Sequence, residues 1–81
     1  MQRQSIKTDT DGTLRKLGDA IRAARKEVGL SQEALADAAG LDRSHMGKIE
    51  RGERNVSVLN VARVAQALGV SVASLMSGAG L

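Results

Sequence analysis

The chain of 81 residues contains no phenylalanine, tyrosine or tryptophan, and so lacks the stacking platforms by which proteins hold single strands and read most RNA. Duplex DNA, read through hydrogen bonds to base edges, needs none. Cysteine is also absent, which excludes a disulfide framework and thiolate metal sites, and one histidine, His45, cannot assemble a typical zinc site. No metal or cofactor is expected. The N-terminal run MQRQSIKTDT has no apolar signal region, and no apolar stretch approaches the length that spans a bilayer. A cytoplasmic protein without a membrane partner is expected. No catalytic triad, metal cluster or phosphate-cradling glycine loop can be assembled, so an enzyme is not expected. Negative charge is the scarcer sign: nine Asp and Glu against twelve Lys and Arg leave +3, a balance that favours a polyanionic partner.

What is present, 42% hydrophobic residues of the Leu, Ile, Val, Ala and Met kind, can bury one small core. Residues 1 to 11 are polar, carry Arg3 and Lys7, and show no periodicity; they read as a flexible N-terminal arm. Residues 12 to 76 read as one all-α domain. Leu14, Leu17, Ile21, Ala24 and Val28 recur every three or four positions and mark a first helix ending near Gly29. Ser31 caps a second helix and Gly40 stops it, after which Asp42 caps a third. Ser57 caps a fourth, with Val58, Val61, Ala62, Ala65 and Leu68 as its inner face and Gly69 as its stop. Val70 and Leu75 flank the Ser71 cap as a hydrophobic staple for a short fifth helix. Residues 77 to 81, SGAGL, read as a flexible tail. Five helices around one core are expected, with no repeat and no strand pattern.

The stretch Leu30 to Gly52, LSQEALADAAGLDRSHMGKIERG, places its small and apolar residues where two short helices pack across a tight turn. At about 100° per residue, the third helix divides into two stripes. Asp42, Met46, Ile49 and Glu50 share one side; Ser44, Gly47, Lys48 and Arg51 share the other. A narrow apolar root beneath a basic, small-residue face suits a helix that enters a DNA major groove. From Leu14 to Met76 the chain resembles the Cro/repressor-type (Xre-like) helix-turn-helix family of bacterial and phage regulators. Gln32, Leu35, Ala36, Gly40, Met46, Ile49, Glu50 and the run LGVSVASLM (Leu68 to Met76) carry the resemblance. The block LDRSHMGKIERGERN (Leu41 to Asn55) is similar to the controller proteins of restriction–modification systems. The resemblance implies a lambda-repressor-like domain whose second and third helices form the helix-turn-helix.

Arg43 and Ser44, in the first turn of the third helix, and Lys48, one turn on, are the expected base readers. Arg43 can bond a guanine O6/N7 edge in bidentate fashion, Ser44 suits several bases, and Lys48 can reach guanine or a phosphate. Gly47 costs about 1 kcal/mol relative to alanine in mid-helix, and either close approach to DNA or tolerance of a weak helix former explains it. His45 lies beside the outer stripe, as a further DNA contact or a solvated imidazole; the controller proteins that this block resembles often carry an aromatic residue there. Ser31, Gln32, Arg51, Arg54 and Asn55, at helix ends and in the loop after the third helix, are the expected phosphate ligands. For Gln32 the resemblance supplies that role. Glu50 falls on the inner stripe, where an unpartnered carboxylate would be costly, and the resemblance implies that Arg25 pairs with it. Glu33 and Asp37, four residues apart, share a face of the second helix. They read either as helix-end complement and solvated surface, or, by resemblance to activators of this family, as a patch touching the RNA polymerase sigma subunit.

One short helix reads few base pairs, so a homodimer on a palindrome in double-stranded DNA is expected. Val70, Val72, Leu75 and Met76 are the candidate interface, with core packing as the competing use of the same side chains. The expected function is a sequence-specific transcriptional regulator; the alternative is an antitoxin-like module that combines operator binding with a protein partner.

Overall fold

In a computed structural model, which describes residue 9 and residues 11–81, four of the helices begin where a short polar side chain turns back on the chain. Ser31 Oγ accepts the Ala34 N–H at 3.0 Å, Asp42 Oδ1 that of His45 at 2.7 Å, Ser57 Oγ that of Asn60 at 3.1 Å and Ser71 Oγ that of Ser74 at 2.9 Å. Each bond satisfies a donor that the first helical turn leaves orphaned, a contribution of about 1 kcal/mol. The helices are α1 (Thr13–Glu27), α2 (Gln32–Ala39), α3 (Arg43–Glu50), α4 (Val58–Leu68) and α5 (Val72–Gly78). Between α2 and α3 the chain reverses through Gly40, at φ 73°, a left-handed conformation that favours glycine. Among the described residues no single helix is long and apolar enough to cross a membrane.

The all-α, lambda-repressor-like architecture expected from the sequence is the one observed. Helix α2 packs on both α3 and α4, while α1 spans α3 and α5. Ile21, Leu35, Met46, Ile49 and Val64 are fully buried at the centre, each contributing about 1.5–3 kcal/mol by the area it removes from water. This core holds α3 by one side only.

Several local expectations are corrected. Val58 is not on the inner face of α4 but 81% exposed, because the buried stripe runs Val61, Val64, Ala65, Leu68 and leaves the first residue of the helix outside. Val28 is likewise 50% exposed, since α1 ends at Glu27 and Val28 only closes its last turn. Asp42 sits at the exposed end of α3 as its cap rather than on the buried stripe. Helix α5 continues through Ser77 to Gly78, so the tail boundary drawn after Met76 falls inside it. Of the four residues offered as a dimer interface, Leu75 belongs to the core; Val70, Val72 and Met76 are half-buried against it. The N-terminal arm lies outside the described residues except for Asp9 and Asp11. Asp9 is no loose end: its carboxylate accepts the Leu14 N–H at 3.0 and 3.2 Å and thereby caps α1.

Candidate nucleic-acid interface

Helix α3 carries the expected functional residues, and its position depends on a buried carboxylate. Glu50, 4% exposed, accepts Arg25 Nε at 2.7 Å, Arg25 Nη2 at 3.1 Å and Gln32 Nε2 at 3.1 Å. The remaining terminal nitrogen of Arg25 donates to the Leu30 carbonyl at 3.0 Å. One fork therefore ties α1, the turn before α2, the first residue of α2 and the last residue of α3. Donation to the Glu50 carboxylate raises the Arg25 pKa, against the opposing effect of burial. Among the described residues no buried side-chain nitrogen or oxygen lacks a partner, so the network is complete as well as buried.

Opposite this anchor, Arg43 and Ser44 are exposed, with His45 and Lys48 half-buried. Gln32, Arg43, Ser44, Gly47 and Arg51 line one cleft of ≈ 320 Å³. Gly47 is buried, and the structure supplies a reason for it that periodicity missed. A Cβ there would lie 3.2 Å from Arg51 Nη1 and 3.3 Å from Gln32 Oε1, so its absence leaves room for both side chains to cross the helix. Two guanidinium groups, an amide and a hydroxyl thus converge on a concave polar face, the donor set that suits phosphate oxygens and base-edge acceptors. This face belongs to the second of two helices joined by a three-residue turn.

The pattern of the helix-turn-helix family matches residues 21–75. The chain belongs to that family. Control protein C.SmaI of Serratia marcescens is 42% identical over 65 residues, 80% of this chain and 77% of that protein. The crystal structure of the restriction-modification controller protein C.AhdI from Aeromonas hydrophila is 48% identical, covering 76% of this chain and 94% of that one, with a TM-score of 0.75. The clp gene regulator ClgR from C. glutamicum has a TM-score of 0.82 at 34% identity, covering 84% of this chain and 87% of that one. The likeness to controller proteins agrees with the resemblance carried by Leu41 to Asn55.

In this helix-turn-helix chain the other sequence-selected phosphate ligands and the two acidic residues of α2 are exposed. Ser31 is exposed at the start of α2, its oxygen occupied by the cap and its O–H free to donate. Arg54 and Asn55 are exposed in the loop after α3. Arg51 is shared: its Nε meets Glu53 Oε2 at 3.0 Å in an exposed pair. That hydrogen bond and charge hold the Glu53 carboxyl below the usual carboxylate range. Whatever this pair adds to stability is present at neutral pH and lost as the carboxyl protonates in acid. Glu33 and Asp37 are exposed on α2. Sequence reasoning passed over Gly18 and Gly52, whose backbones bring α1 against the end of α3. A glycine inside the otherwise periodic first helix was the available signal.

Proposed function

We propose that this protein is a cytoplasmic, sequence-specific regulator of transcription, with α3 in the major groove of double-stranded DNA. On this reading it acts as a homodimer on a palindromic operator, in the manner of a restriction–modification controller. The observation that carries the reading is the pairing of a basic, concave outer face on α3 with a buried Arg25–Glu50–Gln32 anchor beneath it. Arg43, Ser44 and Lys48 read bases, with His45 and Gly47 beside them. Ser31, Gln32, Arg51, Arg54 and Asn55 hold phosphates. Gln32 serves both sides of α3, since Glu50 engages one amide hydrogen and leaves a second. Support for a dimer comes from surplus apolar surface: Val70, Val72 and Met76 are half-buried, and Val58 and Leu59 are 81% and 59% exposed.

Selection of binding sites from random duplex DNA tests the reading. A palindrome is expected, with Arg43→Ala relaxing one position of each half-site at a cost of about 1–3 kcal/mol. Binding without any motif would reduce α3 to an electrostatic anchor and defeat the proposal.

Because Glu53 competes with phosphate for Arg51, Glu53→Gln is expected to tighten duplex binding. The plot of log affinity against log salt should steepen by about one. Fluorescence anisotropy at several salt concentrations reads both, and unchanged values would show that Arg51 stays clear of DNA. The exposed carboxylates of Glu33 and Asp37, which form no ion pair among the described residues, support contact with the RNA polymerase sigma subunit. Glu33→Lys with Asp37→Lys should then abolish activation of a reporter while operator affinity is kept or raised. Unimpaired activation would remove that contact from the proposal.

A further inference from the structure

Two glycines press α1 against the C-terminal end of the recognition helix. A Cβ on Gly18 would fall 2.5 Å from the Glu50 carbonyl oxygen and 2.6 Å from that of Ile49; one on Gly52 would fall 2.8 Å from Arg15 Cα and 2.9 Å from its nitrogen. Backbone meets backbone at both points. The first turns of α1 therefore lie directly beside the loop that carries Arg51 and Arg54. Helical spacing then decides which α1 side chains share that flank. Arg15 precedes Gly18 by three residues and Arg22 follows it by four, the separations that align side chains along one face. Arg25, seven residues after Gly18, continues the same row and turns inward onto Glu50. Arg15 and Arg22 are exposed, and neither forms an ion pair among the described residues.

We infer that Arg15 and Arg22 of the first helix form a second DNA-backbone contact, extending the phosphate-binding rim of Arg51, Arg54 and Asn55 at the end of α3. The inference rests on the DNA-binding reading above and adds to it a helix outside the helix-turn-helix. The two residues lie seven apart on α1, about 10 Å along its axis, so they address separate points of a strand. They reach it from beside the inserted helix rather than from its base-facing stripe. Their role is to neutralise phosphate and fix the docking angle, without reading sequence. The competing role for the same charges is to complement the carbonyl end of α3, which would act on folding rather than on DNA.

The experiment compares the intact protein with Arg15→Gln/Arg22→Gln, Arg15→Lys/Arg22→Lys and Lys16→Gln. Affinity is measured on the selected operator and on a scrambled duplex across a salt series, with thermal unfolding alongside. Lys16 is the control, because replacing this exposed residue removes one charge from the face of the same helix that continues through Ala20 and Ala23 into the groove against α5, away from the Arg15 row. The expected result is that the double glutamine variant weakens binding to both duplexes by a similar factor. Its salt dependence should be shallower by about one per arginine, with the melting midpoint unchanged and the double lysine variant keeping the original slope. A wild-type slope in the double glutamine variant overturns the inference. So does a lowered melting midpoint without a change of slope, or an equal flattening per charge removed by Lys16→Gln, which would mean that only net charge counts. Failure of the unmodified protein to bind duplex DNA in a salt-dependent way would defeat the underlying reading instead.

Discussion

Glu50→Ala is expected to lower the stability of the fold by about 3 kcal/mol, the lower end of the range for removing one partner of a buried ion pair. The deleted carboxylate is the common acceptor for two Arg25 nitrogens and the Gln32 amide. Its loss leaves a guanidinium at 12% side-chain exposure with only the Leu30 carbonyl. The lower end applies because Arg25 still touches solvent. A chain of this length has a total stability of about 4–12 kcal/mol, and a loss of this size lowers the melting midpoint by roughly 12–24 °C. DNA affinity should fall with it, since the same three bonds orient α3. Thermal unfolding followed by circular dichroism is the measurement, and a midpoint within two or so degrees of the parent would show that the network stabilises nothing. The double variant Arg25→Met/Glu50→Leu should recover part of the loss, because two apolar side chains leave no buried charge behind.

Gly18→Ala is the second large effect, and its sign is opposite to the usual one. Exchanging glycine for alanine inside a helix ordinarily stabilises by about 1 kcal/mol. Here the added carbon meets Glu50 and Ile49 carbonyl oxygens at 2.5 and 2.6 Å, and the Glu50 carbonyl carbon at 2.9 Å. These are backbone atoms that move only if α1 and α3 separate. Overpacking of this kind costs typically about 1–3 kcal/mol, and backbone contacts this short put Gly18 at the upper end. After the helix-propensity gain a net destabilisation of up to about 2 kcal/mol is expected, together with weaker DNA binding as α3 is displaced. Urea unfolding gives the first number and anisotropy the second. A more stable Gly18→Ala protein would mean that the helices are not in this contact. The same exchange at Gly47 meets the ends of the Arg51 and Gln32 side chains at 3.2 and 3.3 Å. Those ends can swing aside, so the fold tolerates it and the effect falls on the cleft.

Much of this was legible in the chain itself because it is local. A cap needs only a serine or aspartate three residues from a free N–H, and Ser31, Asp42, Ser57 and Ser71 could be picked out one by one. Amphipathic spacing within α3 separated Met46, Ile49 and Glu50 from Ser44, Lys48 and Arg51 without knowledge of any other helix. The phase of α4 was harder. Val58 and Ala62 fit a helical stripe with Val61, Ala65 and Leu68 almost as well as Val64 does, and only the position of α2 and α5 selects between them.

The amino-acid order alone determined five helices, the caps of the last four, the reversal at Gly40, a basic outer face on α3 and the inward direction of Glu50, since each follows from short-range spacing along the chain. Tertiary structure decided what depends on distances between segments far apart in the chain. It showed that Gln32 joins Arg25 on one carboxylate, that Gly47 makes room for side chains crossing from two directions, and that Gly18 and Gly52 lay α1 along the end of α3. No periodicity encodes how closely two backbones approach, because that separation is set by the smallest residue at the crossing point and by every side chain packed around it.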